Sequence, residues 1–193
     1  MIKEAKTIYP VHELIRKRWS ARSFSEKEIT QDELNTIFEA ASWAFSSMNY
    51  QPWRYIYVHK SDKENFEKFV DCLADGNKPW AKNASVLIFS MAKKKYDDGN
   101  INKSALHDVG AANATLILQA VSMNIYGHLI GGYSRTKAIE LFNIDTNEYE
   151  PVVFIALGYL DSPEKLEEPF KSREITSRER KKITEFSNEY HAQ

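Results

Sequence analysis

Four groups of residues in this chain have side chains or backbone freedom suited to chemistry. In Arg18-Trp19-Ser20-Ala21-Arg22, two guanidiniums and a hydroxyl stand at alternate positions and project to one side of an extended chain. Guanidinium is planar with paired donors, so the pattern suits a phosphate, each charge-assisted hydrogen bond contributing about 1.5–3 kcal/mol. Taken alone, the same residues more often make the solvated basic end of a helix.

The stretch Ser46-Ser47-Met48-Asn49-Tyr50-Gln51-Pro52-Trp53 gathers small hydroxyls and amides, stopped by proline and anchored by tryptophan. Such groups bond the polar edge of a ligand or, more plainly, satisfy the backbone of a helix-to-strand turn. Gly131 and Gly132 are adjacent in a chain with only seven glycines. Without Cβ atoms their N–H groups can approach a planar ligand, although a simple turn explains them equally well. Lys171-Ser172-Arg173 is again basic at alternate positions. The run Arg178, Arg180, Lys181, Lys182 reads as a solvent-facing surface without function.

Composition limits what these groups can serve. Over 193 residues, 26 Lys and Arg face 27 Asp and Glu, a net charge of −1, which disfavours a nucleic-acid binder. Cys72 is the sole cysteine, so neither an intrachain disulfide nor a multi-thiolate metal site can form. His12, His59, His107, His128 and His191 are scattered without metal-binding spacing, and no metal is expected. No glycine-rich phosphate loop of the GxGxxG or GxxxxGK[ST] type occurs, so a bound nucleotide must be held by side chains. The apolar runs 84–91 and 151–160 are far shorter than the ~20 residues of a membrane span. The charged start Met-Ile-Lys-Glu-Ala-Lys lacks a secretory signal, and the expectation is a cytoplasmic protein.

The elements that must position these groups form an α+β pattern in one domain over 1–193. Pro10 opens a first helix through Val11, Leu14 and Ile15, whose end delivers Arg16 to Arg22. Thr30 and Glu33 make a capping box ahead of Leu34, Ile37, Phe38 and Ala41. Residues 53–59 read as a strand, and Ser61 with Glu64 caps a helix through Phe66, Phe69, Val70 and Leu73. A second strand covers 85–91, and a long apolar helix runs over 104–126 to a glycine cap at Gly127. A short helix over 136–143, a third strand over 151–160, an edge strand over 170–175 and a final charged helix capped by Thr176 and Glu179 complete the reading. Trp53, Tyr50 and Trp80 are candidates to stack on a ligand, although core packing is the commoner role. His107, His128 and Cys72 read as structural.

From Ile15 to Arg173 the four groups, in this order and spacing, resemble the FMN-dependent nitroreductase family. The resemblance implies a central mixed sheet flanked by helices in an intertwined homodimer, with 161–193 a C-terminal extension packing on the partner. It implies that Arg18, Ser20 and Arg22, with Trp19 among them, bind the FMN phosphate and ribityl chain, and that Lys171 and Arg173 complete the phosphate clamp. Ser46, Ser47, Asn49 and Gln51, before Pro52 and Trp53, would line the flavin of the partner subunit, Asn77 would bond the isoalloxazine, and Gly131 and Gly132 would face flavin N5 and O4. The chain departs from the family in Phe45, where many relatives have proline, and in Trp19, where many have a smaller or basic residue; both bear on pocket shape.

The implied activity is an oxidoreductase in which hydride from NADH or NADPH passes through flavin N5 to a nitroaromatic or quinone-like acceptor by a ping-pong mechanism. No side chain need act as a catalytic residue, because the flavin carries the chemistry. The alternatives are a non-catalytic flavin-binding or regulatory module, or a branch of the family with different chemistry such as dehalogenation or dehydrogenation. Neither nucleic acid nor membrane is an expected partner.

Overall fold

Two long apolar runs, β-strands Val86–Lys93 and Tyr149–Tyr159, pair antiparallel at the centre of a four-stranded sheet. The computed structural model describes residues 3–190; His191 lies outside them. The strands are β1 (Trp53–His59), β2 (Val86–Lys93), β3 (Ile125–Ile130) and β4 (Tyr149–Tyr159), in the order β1-β2-β4-β3. The expected class, α+β, holds, but all three pairings within this chain are antiparallel where a mixed sheet was expected.

β2 is buried along nearly its whole length because helices cover both faces of the sheet. Its side chains alternate: Leu87 and Phe89 join Trp19, Phe69, Trp80 and Phe154 on one face, while Val86 and Ile88 join Leu34, Ile37, Leu116 and Ile117 on the other. The second face is covered by α2 (Gln31–Ser42) and α5 (Ala105–Ser122), and the first by α3 (Lys63–Cys72), α4 (Lys78–Ala81) and α6 (Arg135–Phe142).

The α2 cap forms as expected: the Thr30 hydroxyl accepts from Glu33 N and the Glu33 carboxylate from Thr30 N. Several boundaries differ. The first helix, α1 (Glu13–Lys17), starts three residues after Pro10, capped by His12 Nδ1, which accepts from Leu14 N. The α3 cap is Asp62 instead of Ser61. The apolar run 104–126 is a helix followed by a strand: Asn124 turns the chain at φ 59°, and β3 begins at Ile125. Gly127 is therefore no helix cap; in β3 it admits the Ile117 side chain, whose Cδ1 would lie 2.1 Å from an added Cβ.

Residues 170–175 form a short helix, α7 (Phe170–Ile175), where an edge strand was expected. Thr176 ends it, so the expected final charged helix does not form among the described residues, where beyond Thr176 one turn, Ile183–Glu185, is helical. Cys72 is a buried free thiol in the core, its pKa raised by burial, as a packing residue should be.

Candidate functional site

The backbone of 18–23 leaves α1 in extended form and is held by bonds to distant parts of the chain. Arg178 Nη1 donates to Arg18 O (2.6 Å), while its Nη2 donates to Lys3 O (2.7 Å) and Arg16 O (3.1 Å). Glu174 Oε1 accepts from Arg22 N (2.9 Å) and Ser23 N (3.0 Å). Both chain ends thus meet at this segment, although the run containing Arg178 had been read as free of function. Its sequence signal, a charge run near a terminus, is the same as that of a solvated surface.

Arg18 and Arg22 are half-buried and make no ion pair among the described residues. Burial lowers the pKa of both; the Arg180 charge acts in the same direction on Arg18, while at Arg22 Glu174 opposes and Arg173 reinforces the fall. Guanidinium stays protonated regardless, so two partly desolvated cations stand without a direct ion-pair partner among the described residues, Glu174 acting on the Arg22 guanidinium without contact, an arrangement that an anion would stabilise. Six buried side-chain N or O atoms among the described residues lack a hydrogen-bond partner, and five belong to Arg16, Trp19, Trp80, Glu174 and Arg178, all within or against this segment.

The segment adjoins the glycine pair through packed rings. The Arg22 guanidinium carbon lies 5.7 Å from the centre of the Trp80 ring, and Trp80 stacks on His128 of β3 at 4.5 Å. Trp80 is fully buried, which removes it as a ligand-stacking candidate. His128 Nδ1 donates to Ala21 O (3.0 Å); burial first, then the Arg22 charge, push its pKa down to about 4. At the end of β3, Gly132 O accepts from Asn77 Nδ2 and Ala74 N, both at 3.0 Å. An added Cβ at Gly132 would lie 2.8 Å from Asn77 Nδ2, whereas Gly131 faces open space. Packed rings thus join Arg22, Trp80 and His128, and a hydrogen bond joins Asn77 to Gly132, while among the described residues no hydrogen bond, ion pair or ring contact links the Arg18 side chain to any of them.

Ser20 in that segment is exposed, and Trp19 is buried core, packed edge-on to Tyr126. Lys171 and Arg173, two positions apart on α7, point about 200° apart. Lys171 is ion-paired with Glu164, and Arg173 lies on the Arg22 side, where its charge acts on Arg22.

The loop from Ser46 lies elsewhere, and no hydrogen bond, ion pair or ring contact among the described residues joins it to the arginine segment or the glycine pair. Ser47 N donates to the buried Asp108 Oδ2 of α5 (3.0 Å), and Gln51 N to Ser46 Oγ (3.0 Å). Met48, Asn49 and Gln51 all have φ between 52° and 56°, a conformation costing non-glycine residues about 1–2 kcal/mol each. Phe45 and Met48 are largely exposed, Trp53 is core, and the Tyr50 hydroxyl donates to Lys95 O and Asp97.

The nitroreductase family model matches residues 15–75 and 66–159, spanning the arginine segment, the strained loop and the glycine pair. The chain belongs to the nitroreductase family. A relative from Archaeoglobus fulgidus, provisionally named an NADH dehydrogenase/NAD(P)H nitroreductase, is 30% identical over 155 residues, covering 76% of this chain and 83% of that protein. The CLA biosynthesis enone reductase of Lactiplantibacillus plantarum is 26% identical over 178 residues, covering 73% and 81%. A crystal structure described as an oxidoreductase containing FMN superposes with a TM-score of 0.84 at 34% identity, covering 90% of this nitroreductase-family chain and 89% of that one. No helix among the described residues is long and apolar enough to cross a membrane.

Proposed function

We propose that the protein is an FMN-dependent oxidoreductase that uses NADH or NADPH to reduce nitroaromatic or quinone-like acceptors, working as a homodimer with shared sites. The observation that carries the reading is the pair of half-buried guanidiniums, Arg18 and Arg22, neither in a direct ion pair among the described residues, with Arg22 braced over Trp80. That donor set fits the phosphate of a mononucleotide. A similar structure at 34% identity is described as containing FMN.

FMN, when bound, supplies hydride transfer from a reduced nicotinamide to an electrophile, which makes the kinetics ping-pong. The residues of this chain bind and orient. Arg18 and Arg22, with Arg173 beside them, supply the positive end, and Ser20 offers a hydroxyl from the exposed side of the same segment. Asn77, held through its Nδ2 by Gly132 O, keeps its carboxamide oxygen as an acceptor for a ring N–H, and the open backbone at Gly131 offers an N–H to charge that develops on reduction. No step requires a side-chain nucleophile.

Ser46, Ser47, Asn49 and Gln51 complete the site in the dimer, each chain lending its loop to its partner. The loop's separation from its own chain's arginines, its strained backbone and the exposure of Phe45 and Met48 favour this arrangement. The segment after α7, with Ile183, Phe186 and Tyr190 exposed, is the extension that would pack on the partner. The test is anaerobic: purified protein should show flavin absorbance that disappears when NADH or NADPH is added and returns with a nitroarene or quinone. Colour that neither nicotinamide bleaches would overturn the enzymatic reading in favour of a binding module.

A further inference from the structure

We infer that Glu174 is a positioning residue for the anion site: it fixes the backbone at Arg22 and so aims that guanidinium at the cofactor phosphate. The inference rests on the FMN reading above and names how the chain prepares its clamp.

Glu174 is 1% exposed, on a short helix far along the chain from Arg22. A buried acid beside Lys3, Arg22 and Arg173 would ordinarily be read as their counter-ion, yet it forms no ion pair with any of them among the described residues. Instead its Oε1 accepts two consecutive backbone N–H groups, Arg22 N at 2.9 Å and Ser23 N at 3.0 Å, while Oε2 is buried and unpartnered. Leaving a carboxylate oxygen without a partner in the interior is a stability cost, which an apolar residue at this position would avoid.

What the carboxylate secures is the path of the segment. On the preceding residue, Ala21 O accepts from His128 Nδ1 (3.0 Å); on the following one, Ser23 Oγ donates to Ser162 O (2.7 Å) and Ser23 O accepts from Asp161 N (3.0 Å). Arg22 is thereby fixed on both sides, and its side chain is braced over Trp80. A guanidinium held in place before binding loses less conformational freedom when it takes a phosphate, and affinity rises accordingly. Glu174 also ties α7, which carries Arg173, to the arginine segment, so one carboxylate keeps both cations near one point.

The experiment titrates the flavin-free full-length protein with FMN and, in parallel, with riboflavin, which lacks the phosphate, following quenching of flavin fluorescence. Glu174→Gln keeps the acceptor and removes the charge; Glu174→Asp keeps the charge and shortens the reach by one methylene; Glu174→Ala removes both. Positioning requires Glu174→Gln to bind FMN within about threefold of the unmodified protein, and Glu174→Ala to bind it about tenfold more weakly, with riboflavin affinity unchanged. Glu174→Asp should fall between them, and it decides the matter if Glu174→Ala does not fold. In an Arg22→Ala background the Glu174→Ala loss should shrink to the part carried by Arg173, because Glu174 and Arg22 act as a unit. Unchanged FMN binding in Glu174→Asp and Glu174→Ala would overturn the inference, as would tighter FMN binding in both Glu174→Gln and Glu174→Ala, which would mark a purely electrostatic role. If the unmodified protein binds no FMN, the cofactor reading fails first and the inference with it.

Discussion

The two regions matched to a cofactor differ in what holds them. The 18–23 segment is fixed by bonds to residues more than a hundred positions away, Glu174, Arg178, Ser162 and His128, and its two arginines make no direct ion pair among the described residues. The 46–51 loop is held mainly by near neighbours, with one distant tether from Ser47 N to Asp108, and keeps three non-glycine residues at positive φ under exposed Phe45 and Met48. One region is held by distant bonds, the other by near neighbours on a strained backbone. The proposal that each loop serves the partner's site rests on that contrast.

The largest expected effect comes from removing the anion's partners. The double substitution Arg22→Ala and Arg173→Ala eliminates two charge-assisted contacts worth about 1.5–3 kcal/mol each, so FMN affinity should fall at least about a hundredfold and the folded protein should purify colourless. Full retention of colour would remove the clamp.

The second effect is on stability. His128 is neutral in the fold, with a pKa of about 4 against about 6.5 when unfolded, so the unfolded chain binds more protons between those values. Stability from this residue is present above pH 6.5 and is lost as the pH falls toward 4, by up to about 3 kcal/mol. Denaturant melts from pH 8 to 4 should show this slope in the unmodified protein, and His128→Gln should flatten it. An unchanged slope would show that burial and the Arg22 charge do not hold His128 neutral in the fold.

Smaller effects sharpen the loop half of the comparison. Asp108→Ala removes the acceptor of Ser47 N and should lower unfolding stability by about 1–2 kcal/mol; under the proposal that the loop lines a partner's flavin, FMN and riboflavin affinity should fall together. The measurement is a urea midpoint beside FMN and riboflavin titrations. Met48→Gly relieves one positive-φ residue and should change stability by less than about 1 kcal/mol, because glycine's extra freedom in the unfolded chain offsets the relief. A large stabilisation in a thermal melt would mean the loop strain is greater than its dihedral angles indicate.

Sequence patterns revealed the parts of the fold that depend on local spacing. The Thr30–Glu33 box placed α2, and β-branched and aromatic residues placed β1. β3 was hidden because only Met123 and Asn124 separate it from α5 and no proline or glycine marks the junction; the break rests on Asn124 adopting a left-handed turn. Gly127 resembles a helix cap in sequence and is a packing gap for Ile117 in space. The resemblance singled out Arg18, Arg22, Asn77 and the glycine pair; of these the fold bonds Asn77 to Gly132 and braces Arg22 on Trp80, and among the described residues no hydrogen bond, ion pair or ring contact joins the Arg18 side chain to the others. Glu174 drew no expectation and Arg178 read as solvated surface because a lone acid, or one arginine in a basic run, bears no periodic mark of burial. Their roles arise from contacts with a segment more than a hundred positions away, which local spacing cannot encode.

The most direct measurement of the central claim is the affinity of the unmodified, flavin-free protein for FMN against riboflavin under identical salt. A clamp of half-buried arginines requires FMN to bind at least about a hundredfold more tightly, a preference that Arg22→Ala reduces. Equal binding of the two flavins would contradict it, because the phosphate would then meet no cation at all.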